Sequence, residues 1–284
     1  MKKKIFIIGI SSNLGFYLSK HLPKNKYIIS DSFNRNNKFK KKYFNLSHKA
    51  SEKTILKVFK NKPDIVIHCA ALTNIEHCEN NLKETIDVNT KFPIKISKIC
   101  KILGIKFIFI STDQLFAGRK DFYNEKDKAI PKNNYSKSKY IAERDIYKFN
   151  NKSLILRLSF VGRGMVEKKN LFDFVYKNLK NKKKIYGYDD IFFTPVSFDY
   201  FTKILIKFIE SNYSGRFNIA SNKAISKYQL CIEIAKKYNL DRNLIVKSKY
   251  ENNDTIRPKN MSLDISKMCK LLNVSGKSFM QMKW

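Results

Sequence analysis

Six short apolar runs alternate with stretches of helix length over the first 158 residues, and this alternation restricts the chain more than any single motif does. The runs are 4–9 (KIFIIG), 26–30 (KYIIS), 42–46, 64–71 (DIVIHCAA), 106–111 (KFIFIS) and 153–158 (SLILRL). Each is too short for a stable helix and most are rich in β-branched or aromatic residues, which favours strand. The segments between them predict helices over 16–22, 51–61, 82–103 and 135–150, with Pro63 and Gly104 as stop signals for the second and third. Crossovers of helix length join parallel strands, and a run as apolar as 64–71 expects burial on both faces. The predicted fold class is therefore α/β with a doubly wound parallel sheet. Beyond residue 160 the pattern is mixed, with helices predicted over 171–179, 197–210 and 227–238 and strands over 184–188 and 217–220.

Composition removes several function classes. The 284 residues are 43% hydrophobic, ample for a buried core. No apolar run approaches the roughly 18 to 20 residues that span a bilayer. The start Met1-Lys2-Lys3-Lys4 leads into a β-branched run without a small-residue cleavage site, so a cytoplasmic protein with no membrane partner is expected. Cys69, Cys78, Cys100, Cys231 and Cys269 show no C-x-x-C spacing, and His21, His48, His68 and His77 show no metal spacing. Reduced structural thiols and no metal are expected, with His68 packed in the core. The net charge of +33 invites a nucleic-acid reading. Yet only 8 of the 57 basic residues are Arg, and the lysines run along the whole chain together with Asn, Ile, Phe and Tyr. That is the bias of AT-rich codons, so no nucleic-acid partner is expected, although the charge still draws in anionic small molecules.

The first run ends in Gly9-Ile10-Ser11-Ser12-Asn13-Leu14-Gly15 before a helical pattern. This is where a dinucleotide-binding fold makes its phosphate turn, the first glycine for the bend and the last for packing of the helix. Ser12 stands where the middle glycine is usual. Asp31, at the end of the second run, either accepts from ribose hydroxyls or is a solvated turn residue, and Arg35 keeps a 2′-phosphate open. Ser111-Thr112-Asp113 follows the fifth run, at the sheet edge where such folds bind ligands, and Tyr135-x-x-x-Lys139 opens the next helix. A Tyr and a Lys four apart share a helix face, where the ammonium stabilises a phenolate and lowers its pKa. Alone, that spacing also describes an ordinary helix surface; the strand-end Thr112 and the glycine turn are what make it chemical. The sheet is accordingly read as Rossmann-like, residues 1–160 forming the dinucleotide-binding domain and 161–284 a smaller substrate-binding lobe interleaved with the last sheet elements.

Several motifs in order carry a family resemblance. They are Gly9-x-x-x-x-x-Gly15, Pro63 through Asn74 (PDIVIHCAALTN), Val88-Asn89, Ile110 through Gly118 (ISTDQLFAG), Asn134-Tyr135-Ser136-Lys137-Ser138-Lys139 with Glu143, Leu156-Arg157, Ile225 through Tyr228 (ISKY), and Arg257-Pro258-Lys259-Asn260. With these the chain resembles the extended short-chain dehydrogenases/reductases, and within them the dTDP-4-dehydrorhamnose reductase branch. The resemblance implies NADPH or NADH as cofactor and a nucleotide-linked 4-keto-6-deoxy sugar as substrate. It makes Tyr135 the proton donor to the C4 oxygen, Lys139 the holder of the nicotinamide ribose, and Thr112 and Asp113 substrate contacts. Gly9, Ser12, Asn13, Leu14, Gly15 and Asp31 would face the cofactor, with Ala70, Ala71 and Ser111 along its groove and Asn89 supporting it. Arg257 would meet the substrate's diphosphate, a guanidinium fork suiting phosphate oxygens; a surface Arg before a turn is its plain alternative. Another nucleotide-sugar enzyme of the superfamily, an epimerase or dehydratase, is the nearest competing reading. A regulatory subunit like that of methionine adenosyltransferase is the competing reading from another class. A homodimer is compatible with either, the sequence itself setting no oligomeric state.

Overall fold

The computed structural model describes residues 1–33, 44–164, 170–251 and 256–284. β1 (Lys3–Ile8) enters first and divides two cores: Ile5 and Ile7 face one hydrophobic cluster, Phe6 and Ile8 the other. This period-two division makes it a central strand. After α1 (Asn13–His21), β2 (Tyr27–Phe33) pairs parallel with one edge of β1, and β3 (Phe44–Asn45) extends the sheet outward. The chain then passes through α2 (Glu52–Val58) and returns to the other edge of β1 as β4 (Ile65–His68). That reversal opens a crevice at the carboxyl ends of β1 and β4, the place where doubly wound sheets bind ligands. Of the predicted third strand, residues 42 and 43 lie outside the described residues, as does Arg35.

Helices α3 (Ile75–Asn80), α4 (Leu82–Ile86) and α5 (Phe92–Leu103) lead to β5 (Lys106–Ile110). The uninterrupted helix predicted over 82–103 is thus broken. A π-helical turn over Asp87–Lys91 separates α4 from α5, and it turns Asn89 and Thr90 inward, both buried. A side-chain period reads the same through such a turn, so the sequence gave no sign of it. A long loop then reaches α6 (Asn134–Phe149), followed by β6 (Leu154–Arg157), α7 (Leu171–Lys180), β7 (Ile185–Tyr188) and β8 (Phe192–Phe193). After α8 (Phe198–Glu210), β9 (Gly215–Asn218) returns to the main sheet. Among the described residues that sheet has seven strands in the order β3-β2-β1-β4-β5-β6-β9, all parallel.

The remaining chain folds over the carboxyl edge. β10 (Ile225–Ser226) pairs antiparallel with β8 and runs straight into α9 (Lys227–Lys237); β11 (Ile245–Ser248) pairs parallel with β7. α10 (Ser266–Leu272) lies against β9. Neither β11 nor α10 has a counterpart in the sequence reading, because both are short and their apolar periods are incomplete. Asn218 ties these parts together, its amide donating to the Tyr123 and Asp264 carbonyls at 2.8 and 3.0 Å.

Candidate active site

At the end of β1 the backbone of Gly9 turns through φ +97°, a conformation costly for any residue with a Cβ. A Cβ here would also stand 2.7 Å from the Ala70 nitrogen, so β1 and the segment after β4 approach this closely only because the residue is glycine. Gly15 meets the same limit, its missing Cβ leaving room for the Gly9 carbonyl. Ser12, in the place of the usual middle glycine, caps α1: its Oγ accepts from the Gly15 N–H at 3.0 Å and donates to the Gly9 carbonyl at 2.8 Å. The turn is thus held by a side chain, while Ser12, Asn13 and Leu14 form one wall of a cavity of about 280 Å³.

α6 forms the opposite wall. Asn133 and Ser136 cap it reciprocally, Asn133 Oδ1 accepting from the Ser136 N–H at 2.8 Å and Ser136 Oγ from the Asn133 N–H at 3.2 Å. Glu79 of α3 accepts from the Asn134 N–H at 2.7 Å, so a carboxylate sits at the positive end of the helix one residue before Tyr135. Tyr135, Lys139 and Glu143 then follow at four-residue spacing on one buried face. The tyrosine is 7% exposed and the lysine 2%. Behind them Glu143 receives Arg157 of β6 through both oxygens, with three hydrogen bonds of 2.8 to 3.2 Å.

The π turn braces this face from the side. Asn89 Oδ1 accepts from the Leu72 N–H at 2.8 Å, and its Nδ2 donates to the Leu72 carbonyl at 2.9 Å and to Ser138 Oγ at 3.1 Å. Thr90 Oγ1 donates to the Ser138 carbonyl at 2.8 Å. One Asn therefore fixes the loop after β4 against the helix that carries Tyr135.

The electrostatics differ from the expectation that Lys139 lowers the Tyr135 pKa. Burial is the largest influence and pushes the phenol up; hydrogen bonding with Thr112 pulls it back, and the charges of Asp113 and Cys78 raise it further. Lys139 donates instead to the Ile110 carbonyl at 2.7 Å and lies over the Phe109 ring, 3.9 Å from its centroid. Its own pKa is pushed down to about 7, chiefly by burial, with Glu143 and Cys69 opposing. Tyr135 is thereby a protonated acid at neutral pH, the form a proton donor needs. Asp113 is 3% exposed, and burial lifts it to about 6 against the pull of Lys227, its own backbone, Thr112 and Ser159.

The chain matches the RmlD substrate-binding domain family over residues 3–282. It belongs to that family. Among relatives of the RmlD family, the probable low-salt glycan biosynthesis reductase Agl14 of Haloferax volcanii is 31% identical over 209 residues, 72% of this chain and 70% of that one. The methionine adenosyltransferase 2 subunit beta of Xenopus laevis is 26% identical over 280 residues, 95% of this chain and 82% of that one. A dTDP-4-dehydrorhamnose reductase from Bacillus anthracis, solved in complex with NADP, superposes with a TM-score of 0.89 at 23% identity, covering 99% of this chain and 97% of that one. The likeness of that structure establishes the Rossmann-like architecture of this RmlD-family chain.

Of the residues singled out from sequence, the cavity gathers Ser12, Asn13, Leu14, Ala71, Ser111 and Thr112, together with Asp113, Tyr135 and Lys139. Gly9, Gly15, Ala70 and Asn89 lie behind its wall as spacers and braces. Asp31 is buried within β2, opposite Ile7, and its charge acts on Cys69, which lines the cavity. Arg257 stands off the cavity wall. Its guanidinium faces Glu76 of α3 at 3.8 Å, and the Ile256 carbonyl beside it accepts from Asn133 Nδ2 at 3.1 Å, at the mouth of α6. His68 is in the core, ringed by Phe92, Phe107 and Phe109, and burial lowers its pKa to about 3.

The sequence reading missed Leu158, Ser159, Phe160, Gly162 and Phe198, which close the cavity from the substrate-lobe side. A signal existed for the first four: they follow β6 at the same carboxyl edge that drew attention to Ser111 and Thr112. Among the described residues, no group of three or more His, Cys, Asp or Glu side chains is placed to hold a metal, and no helix is long and apolar enough to cross a membrane.

Proposed function

We propose that this RmlD-family protein is an NAD(P)H-dependent reductase of a nucleotide-activated 4-keto-6-deoxy sugar, acting in deoxysugar biosynthesis for a surface polysaccharide. The observation that carries the reading is the facing of two walls across one cavity: a glycine turn opening a helix on one side, and Thr112, Tyr135 and Lys139 on the other. The turn suits a dinucleotide. A Cβ at Gly9 or Gly15 would fill it, and α1 presents its N-terminus beside it. Ser12, Asn13 and Leu14 would hold the pyrophosphate, Asp31 the adenosine ribose, Ala71 and Ser111 the nicotinamide end, and Lys139 its ribose. When bound, the reduced nicotinamide supplies the hydride.

Every other part of the step falls to the chain. Thr112 hydrogen-bonds the substrate carbonyl oxygen and keeps it against Tyr135. Tyr135, held protonated by burial, gives its proton to that oxygen as negative charge develops there. The phenolate left behind is a buried anion, and Lys139, one helical turn away, is the cation that offsets it. Residues 161–284 form the lobe that covers the sugar, with Arg257 meeting the diphosphate. NADPH, NADH and a nucleotide sugar are thus the small-molecule partners, with a homodimer as the assembly to test.

The relation to a methionine adenosyltransferase subunit favours a second reading, a nucleotide-binding subunit without turnover. Incubation with 4-deuterated NADPH or NADH and dTDP-4-keto-6-deoxy sugar separates the two. Cofactor oxidation with deuterium at sugar C4, read by NMR, is the expected result. Cofactor binding with no oxidation by any nucleotide-linked keto sugar would reject the reductase.

A further inference from the structure

Lys227 is the first residue of α9, and what precedes it explains why it arrives at the cavity. Ser226 pairs with Phe192 in the β8-β10 ribbon and caps α9, its Oγ accepting from the Gln229 N–H at 3.0 Å. The Lys227 N–H donates to the Ile191 carbonyl at 3.0 Å. Gly187 of β7 runs so close that a Cβ there would stand 2.8 Å from the Tyr228 Cα. With the backbone held on three sides, the side chain crosses the Phe193 ring, Nζ 3.2 Å from its centroid, and Phe193 is fully buried.

The ammonium lies between two groups already placed at the site. Asp113 attracts it and Arg257 repels it, with the Cys231 thiol one turn along α9 as a further influence. Burial is nonetheless the largest effect and brings its pKa to about 8. Asp113 in turn is faced by Thr112 on its own loop, Ser159 beyond β6, Tyr135 of α6 and Lys227 of α9. Carboxylate and ammonium attract across the cavity edge without closing a direct ion pair; Asp113 Oδ1 takes its hydrogen bond from Thr112 Oγ1, at 3.3 Å. An acceptor and a donor therefore face one another across a gap, one residue along the chain from the hydroxyl that bonds Tyr135.

We propose that Asp113 and Lys227 together read the hydroxyl on the sugar carbon next to the reduced carbonyl, so that Lys227 is a specificity-determining residue. The ammonium donates to that hydroxyl's oxygen and the carboxylate accepts its proton. This inference rests on the reductase reading above and deepens it. A hydroxyl fits the gap better than the diphosphate does. Asp113 already balances the lysine and would repel a second anion, whereas Arg257, with its side chain 41% exposed and a 3.8 Å ion pair, is the freer cation at the mouth. A ligand lacking the hydroxyl leaves a carboxylate and an ammonium desolvated and unbridged, and sites of that kind reject such analogues by up to ~10⁴-fold.

The test is calorimetric titration of the NADP-loaded protein with three ligands: a dTDP-6-deoxyhexose, its 3-deoxy analogue, and dTDP alone. The wild type should prefer the hexose over the analogue by at least ~100-fold, and Lys227→Met should shrink that preference below ~5-fold while leaving dTDP affinity within ~2-fold. Lys227→Arg keeps the charge and should restore part of the preference, and near-ultraviolet circular dichroism of both variants separates lost recognition from lost fold. The inference is overturned if the wild type binds hexose and analogue alike, if Lys227→Met keeps the preference, or if the variant loses dTDP as severely as the hexose. The last result would make Lys227 a diphosphate cation. Failure of the reductase reading shows elsewhere, as absence of cofactor oxidation by the wild type.

Discussion

Replacing Glu143 with Gln puts the largest single strain on the helix that carries Tyr135 and Lys139. The Glu143 side chain is 1% exposed and that of Arg157 4%, and three hydrogen bonds of 2.8 to 3.2 Å join them. Arg216, at 3.7 Å and 30% exposed, is a weaker second cation on the same carboxylate. The amide keeps the volume but removes the charge, leaving a buried guanidinium with at most one acceptor where it had two ionised oxygens. Stranding one partner of a buried pair costs about 3 to 5 kcal/mol. At roughly 2 to 4 °C per kcal/mol for a chain of this size, Glu143→Gln should lower Tm by about 6 to 20 °C. The double variant Glu143→Leu with Arg157→Met removes both charges and keeps apolar volume, so it should lose about 1 to 2 kcal/mol at most, since hydrophobic replacement of a buried pair is often neutral. A double-mutant cycle by urea denaturation with Glu143→Leu and Arg157→Met, singly and together, reads this as strong coupling. Single variants each costing under about 1 kcal/mol, or a double variant as costly as their sum, would refute the account of this pair.

Other consequences follow from the same geometry. Gly9→Ala forces a side chain into φ +97° and against the Ala70 backbone, and should cost about 2 kcal/mol or more and abolish NADPH binding, measured by fluorescence titration. Ser12→Ala removes the α1 cap and should cost about 1 kcal/mol by thermal denaturation, with weaker cofactor binding and unchanged kcat at saturation. His68, buried and with its pKa lowered to about 3, stays neutral in the fold while the unfolded chain protonates near 6.5. Its contribution is therefore complete above about pH 6.5 and declines as the pH falls toward 3. His68→Leu should flatten the acid loss of stability across that window, and an unchanged slope would show that His68 does not titrate there.

The alternation of apolar runs with helical lengths was enough to place β1, β2, β4, β5 and β6, because strands buried on both faces are written as uninterrupted Ile, Val and Phe. The glycine turn and the Tyr135 to Lys139 spacing were legible for a similar reason, since each is a local geometry with few residue solutions. Three things were not. The π turn at Asp87–Lys91 is imposed by Asn89 and Thr90 reaching Leu72 and Ser138, contacts that exist only after folding. Phe160 and Phe198 look like core residues and are partly that, stacking on each other at 5.2 Å while also facing the cavity. Lys227 is one lysine among many in a chain of +33 charge, and only the β8-β10 ribbon distinguishes it. The sign of the Tyr135 shift was likewise out of reach, since it depends on how completely the phenol is buried.

The central claim is that Tyr135, held protonated in its pocket, supplies the proton as the keto sugar is reduced. Steady-state NADPH oxidation with dTDP-4-keto-6-deoxy sugar, compared between wild type and Tyr135→Phe, tests it directly. Loss of a general acid should lower kcat by roughly 10² to 10⁴-fold, with NADPH affinity kept within about 3-fold because the ring and its packing remain. Full turnover by Tyr135→Phe would contradict the claim, since no phenol would be left to give a proton.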